Sequence, residues 1–176
     1  YGAAGIGALA SPHSTVEELF LLQKLVRGLG SENVDFRLRQ ADFRADGKRA
    51  GVPWLGMPIA GVKDLTRLLV VGSFLRKDAP LLAQRVRQAT KKGLHVSAIG
   101  PNAEEWLLPV RNRALVAPSA MVAMMAQVVA ALAQEKAADV SVALVGKLPG
   151  TISDEARAIA RSLASGQRVA VWLGSL

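Results

Sequence analysis

Three short stretches of the chain carry residue types suited to gripping a polar ligand: residues 11–17, 72–77 and 100–103. The second, "GSFLRK", follows the apolar run "RLLVV", and the third, "GPNA", follows the apolar run "LHVSAI". Between the runs lies "DAPLLAQRVRQATKK", a helical pattern that carries basic residues and ends at Gly93. Strand, glycine turn, helix, glycine and strand make up the grammar of a β-α-β unit. Phosphate or ribose is held just past the strand ends of such units, where backbone N–H groups and helix N-termini point outward. Gly72 by itself also serves any tight turn after a strand.

Other chemistries find little support. His13 and His95 are the only histidines and lack companion carboxylates, so they read as loop or surface residues rather than metal ligands. Glu17 and Glu18 sit where a helix start needs them. Neither a P-loop nor a G-x-G-x-x-G stretch occurs, and no Ser, His and Asp set has the spacing of a nucleophile elbow. With no cysteine, the chain offers no disulfide, no thiolate ligand and no anchor for an iron–sulfur cluster.

The elements that must position these stretches follow from periodicity and punctuation. "AAGIGALA" predicts a first strand. The spacing of Ser14 with Glu17, or Thr15 with Glu18, predicts a capping box at the start of the next helix. Leu19, Leu22, Val26 and Leu29 form its inward stripe, and Gly28 and Gly30 end it. Residues 31–61 are polar and rich in Gly and Pro, and read as a long loop excursion. Strands are expected at 67–71 and across "LHVSAIG". They are joined by a helix over 78–92 with Asp78 as cap, Pro80 in the first turn and Leu81, Leu82, Val86 and Ala89 facing inward. Two strands joined in this way lie parallel. A helix starting near Pro118 places Met121, Met124 and Met125 on one core-facing side. A last helix capped by Thr151 or Ser153 stops at Gly166 and leads into the strand "RVAVWLG". For residues 139–146, periodicity leaves strand and irregular edge both open. Helix, glycine and strand thus recur at Gly30, Gly93 and Gly166, which predicts one α/β domain over 1–176: an open, mainly parallel sheet with helices on both faces.

The opening "YGAAGIGALA" has neither Met nor a signal-like charged region, and the chain reads as a piece of something longer. The apolar window 114–133 is broken by Pro118 and Ser119, so a buried helix fits better than a membrane span. The net charge of +8 comes largely from two clusters. One comprises Arg37, Arg39, Arg44, Lys48 and Arg49, the other Arg76, Lys77, Arg85, Arg87, Lys91 and Lys92. No aromatic residues interleave with them to stack bases, so a basic surface for an acidic protein partner is a better reading than nucleic acid. In the 31–61 excursion, Arg, Trp54 and Met57 combine in an interface-like composition, which predicts docking of a neighbouring segment.

At the three stretches the chain resembles the molybdopterin oxidoreductases. The family's T-N-E is here Thr15-Val16-Glu17. Its G-S-N-P turn is Gly72-Ser73-Phe74-Leu75, followed by Ala79-Pro80, and its D-P-R is Gly100-Pro101-Asn102. The resemblance implies that the Asn, Asn and Asp of those motifs contact a pterin dinucleotide, and Val16, Phe74 and Gly100 stand in their places. Each hydrogen bond missing to a buried polar ligand costs roughly 1–3 kcal/mol, so the edge made of Val16, Gly72, Ser73, Phe74, Gly100 and Pro101 is expected to bind no pterin cofactor. The family's R-x-C-H likewise reads Arg39-Gln40-Ala41-Asp42.

The stretches "ASPHSTVEELFLLQKLVRGLGSENVDFRLRQADF" and "LLVVGSFLRKDAPLLAQRVRQATKKG" are similar to the family's cofactor-free branch, the large iron–sulfur subunits of respiratory NADH:quinone oxidoreductase, complex I. That resemblance implies a non-catalytic scaffold region, iron–sulfur clusters elsewhere in the parent chain and other members of the complex as partners. It also implies a cytoplasmic place on the inner face of the bacterial membrane, held through the complex without direct insertion. Two alternatives stay open: an active molybdopterin-dinucleotide domain of a formate dehydrogenase-like enzyme, and a stand-alone nucleotide- or nucleic-acid-binding module.

Overall fold

The computed structural model describes residues 2–11, 13–36, 48, 55–136 and 148–174. The chain divides into two compact units, residues 1–52 and 53–176.

In the first unit a 3-10 turn at Ala3–Gly5 leads into strand β1 (Ala8–Leu9), helix α1 (Val16–Gly28) and strand β2 (Val34–Asp35), with β1 and β2 parallel. The predicted strand over "AAGIGALA" is therefore only two residues long. Of the two capping boxes that the spacing allows, Thr15 with Glu18 forms. Thr15 Oγ1 accepts from Glu18 N–H at 3.2 Å, and Glu18 Oε2 accepts from Thr15 N–H at 2.8 Å. Ser31, buried just beyond α1, donates to the Ile6 carbonyl at 2.7 Å and ties β1 to the chain entering β2. Of the expected inward stripe only Val26 is buried; Leu22 is half-buried, and Leu19 and Leu29 are exposed. Two strands of two residues each present too little apolar surface to cover a four-turn stripe.

The second unit holds a four-stranded sheet, β3 (Arg67–Val71), β4 (His95–Gly100), β5 (Val110–Leu115) and β6 (Val169–Leu173), in the order β5-β4-β3-β6 with every pairing parallel. The open parallel α/β architecture predicted from sequence is the one observed. Alternation along β3 divides the core in two. Leu68 and Val70 pack with Ala83, Val86 and Ala89 of α3 (Pro80–Thr90) and with Val62 of the 3-10 helix Ile59–Asp64. Leu69 and Val71 pack on the opposite face with Met121, Met124 and Val128 of α4 (Met121–Lys136) and Ala156, Ile159 and Leu163 of α5 (Asp154–Ala164). Central strands covered on both sides read as continuous apolar runs, which is why β3 and β4 are plain in the sequence. Ser153 caps α5, its Oγ accepting from Ala156 N–H at 3.2 Å.

Several expectations need correction. The helix over 78–92 is broken at Ala79 (φ −145°), so a four-residue α2 (Leu75–Asp78) precedes α3. Asp78 therefore does not cap α3; Ala79 holds that position without a side-chain bond. The break turns α3 so that Ala83 faces the core and Leu81 is 83% exposed. Strand β5 is not evident in the sequence, because "RNR" has no apolar alternation. At the edge of the described sheet it tolerates polar residues, and Asn112 Nδ2 donates to the buried Ser97 Oγ at 3.1 Å. Met57, grouped by composition with a docking loop, packs against the α3-side core. Arg37, Arg39, Arg44, Arg49 and Trp54 lie outside the described residues, as do residues 139–146, and Lys48 is exposed.

Candidate functional site

In an open parallel sheet a ligand cleft forms beyond the carboxyl ends of the strands, at the point where the chain reverses its direction of travel across the sheet. Here the chain runs from β3 outward to β4 and β5, then returns to place β6 on the other side of β3. The reversal point is therefore the pair β3 and β6, whose carboxyl ends are followed by Gly72 and Gly174.

Gly72 has φ +60°, a left-handed turn that glycine adopts without Cβ strain, and its N–H donates to the Ile99 carbonyl of β4 at 3.0 Å. The Gly174 N–H donates to the Val71 carbonyl at 2.8 Å, which draws its Cα onto the Gly72 carbonyl. A Cβ added at Gly174 would overlap the Gly72 carbonyl and come within 2.6 Å of Ser73 Cβ. The backbones thus meet where a cleft would open. Ser73 is buried and its Oγ donates to Asp78 Oδ2 at 2.6 Å, so the hydroxyl of the turn is engaged by a carboxylate from the end of α2. Phe74 is half-buried and packs against the α3-side core. Gly100 closes β4, its carbonyl accepting from Val116 N–H at 3.1 Å, and Pro101 follows half-buried.

Gly72, Ser73, Phe74, Gly100 and Pro101 therefore come together at the carboxyl edge of one sheet. Val16 belongs to the first unit, where it is the first residue of α1 and 79% exposed. Sequence reasoning missed two members of the edge, Asp78 and Gly174. The signal for Gly174 was the glycine directly after "AVWL", the same strand-then-glycine order as at Gly72.

The loop 101–109 is held by cations. Arg113 donates to the carbonyls of Asn102 and Glu104 at 3.4 and 3.3 Å and lies over the Trp106 ring at 5.6 Å from its centre, while Arg76 donates to the Glu105 carbonyl at 3.2 Å. Among the described residues every buried side-chain N or O atom has a hydrogen-bond partner, and no group of three His, Cys, Asp or Glu gathers as a metal site. A pterin dinucleotide needs donors for its diphosphate and partners for its ribose hydroxyls. This edge instead offers a carboxylate, an aromatic ring and a closed backbone contact.

His95 is not the loop or surface residue that the sequence suggested. It opens β4 at the amino edge, half-buried and paired in register with Arg67. Burial first, then repulsion from Arg67 and Arg111, lowers its pKa from the ordinary 6.5. Between the lowered folded value and 6.5 the unfolded chain binds more protons than the folded one. The stability that His95 contributes is therefore complete above pH 6.5 and is lost as pH falls through its folded pKa. Urea unfolding at a series of pH values should show His95→Gln with a shallower acid-side decline than wild type; identical slopes would remove His95 from the balance.

A parallel sheet layered by helices on both faces, with glycine turns at the carboxyl ends of neighbouring strands, defines an open, doubly wound α/β protein. A family model described as Molybdopterin oxidoreductase matches residues 1–164, and the chain belongs to the molybdopterin oxidoreductase family. It is also similar to the G subunit of NADH-quinone oxidoreductase from Rickettsia felis, with 35% identity over 96 residues, 54% of this chain. The proteins of the same name from Rickettsia conorii and Rickettsia typhi are 32% and 31% identical over 96 residues. The aligned part is 14% of the length of each of these relatives.

Proposed function

We propose that this region is a structural scaffold in the peripheral arm of an NADH:quinone oxidoreductase, a molybdopterin-type fold that carries no pterin cofactor. The similarity to the NADH-quinone oxidoreductase proteins of Rickettsia supports the setting. The observation that carries the cofactor-free reading is the contact of Gly174 with the Gly72 carbonyl at the reversal point, reinforced by the Ser73–Asp78 bond. Electron transfer from NADH to quinone is then a property of the parent assembly. Its iron–sulfur clusters lie in parts of the parent chain outside this cysteine-free region, and the other members of the assembly are the partners. Attachment to the membrane is peripheral; among the described residues no helix is long and apolar enough to cross a bilayer.

The test is metal and pterin analysis of the parent protein purified from its own cells. Iron without stoichiometric molybdenum, tungsten or pterin fluorescence is expected. Stoichiometric molybdenum with pterin would establish the alternative, an active pterin-dinucleotide domain. Restoring the family amide with Phe74→Asn should not load a cofactor. Because Phe74 packs against the core, that change should lower stability by about 2 kcal/mol in urea unfolding.

A further inference from the structure

The strongest charge imbalance in the described residues lies on α2, α3 and the turn after them. Residues 76–92 contain six cations and one carboxylate, Asp78, which is bonded to Ser73. The inner face of α3 is committed to the core through Ala83, Val86 and Ala89. Its outer face exposes Leu81, Arg85, Arg87, Gln88, Lys91 and Lys92. Among the described residues the ion pairs are Arg27–Glu32 and Arg168–Asp64, so none involves α3. Arg87 in the last turn and Lys91 and Lys92 just past it gain from the helix dipole at the C-terminal end, but Arg85 lies more than a turn inside and gains little. Arg87 and Lys91 also stand four residues apart on one side of the helix, where like charges repel. Among the described residues neither arginine has an ion-pair partner, so both exposed guanidinium groups are open to a counter-charge brought by another protein.

We propose that the outer face of α3 docks an acidic segment of a neighbouring protein in the assembly. The inference rests on the reading of this region as a scaffold within a complex. Guanidinium groups match carboxylates with two parallel N–H donors each, and they hold this geometry at interfaces better than ammonium groups do. Leu81, 83% exposed at the start of the same face, adds an apolar contact that a protein surface can cover. A membrane fits less well, because the apolar side of α3 is sealed in the core and has nothing to insert. Nucleic acid fits less well because no aromatic side chain lies on this face.

The experiment uses the intact complex purified from its own cells. A zero-length carbodiimide joins a lysine amine to a carboxylate only where the two touch. Peptide mapping should then find Lys91 or Lys92 linked to Asp or Glu of another chain. In parallel, Arg85→Glu with Arg87→Glu should reduce recovery of the chain in the complex by about tenfold at low salt, with the difference from wild type shrinking as salt is raised, while Arg85→Gln with Arg87→Gln gives a smaller loss. Thermal melting of the variant chains separates lost docking from lost folding, since exposed positions should leave Tm nearly unchanged. A complex that assembles at wild-type level with the charge-reversed chain, and yields no links from Lys91 or Lys92, overturns the proposal. So does binding of the purified chain to phosphatidylglycerol vesicles or duplex DNA that the same charge reversal abolishes. Recovery of the chain without any partner protein overturns the scaffold reading as well.

Discussion

Leu75→Ala should lower the unfolding free energy by about 3–4 kcal/mol, a large share of the roughly 5–15 kcal/mol that holds an ordinary domain folded. Leu75 is 1% exposed and is the first residue of α2, directly after the glycine turn of β3. Its side chain fills the α3-side core beside Leu68, Val70 and Val86. Truncation removes apolar transfer energy and leaves a cavity, and the cost depends on how far the surroundings can collapse. Collapse is restricted here because the Ser73–Asp78 bond ties the two ends of the turn together around it. The informative control is Leu81→Ala, six residues on, where 83% exposure predicts a change within about 0.5 kcal/mol. Urea unfolding of the two variants against wild type decides the matter. Equal losses at both positions would mean that the break at Ala79 is wrong and that α2 and α3 are one helix in another rotation.

Gly174→Ala should cost about 2–3 kcal/mol and should loosen one strand in particular. The added Cβ meets the Gly72 carbonyl carbon and oxygen and Ser73 Cβ, and the carbonyl is backbone, which cannot swing aside as a long side chain does. The clash is relieved only if β6 moves away from β3, which lengthens the Gly174 N–H to Val71 bond. Amide exchange should therefore quicken from Val169 to Leu173 more than in β4, which lies on the far side of β3. Gly61→Ala is the matched control: a Cβ there has no neighbour within 4 Å, and the substitution should be neutral or slightly stabilising. A Gly174→Ala protein as stable as wild type, with unchanged exchange in β6, would show that the two strand ends are not in contact. The reversal point would then be open rather than closed.

The sequence by itself determined the elements and their order where local physics is decisive. Thr15 and Glu18 marked the start of α1, Pro80 stood at the first turn of α3, and the unbroken apolar runs at 67–71 and 95–100 marked strands buried on both faces. These signals lie within a few residues of one another, and capping, proline geometry and burial act on that scale. The Gly72 and Gly100 edge was also legible, because parallel strands joined by a helix must bring their carboxyl ends to one side. Tertiary structure alone decided the rest. Arg111, Asn112 and Arg113 form a strand because β4 offers a ladder to pair with, although their own pattern gives no reason to. Asp78 is a plausible helix cap in sequence, but Ser73 lies 2.6 Å away in the fold, and a buried hydroxyl claims the carboxylate more strongly than an exposed helix end does. Gly174 closes the reversal point only because β6, about a hundred residues downstream, returns to the side of β3. That contact depends on chain topology, and no local propensity encodes it.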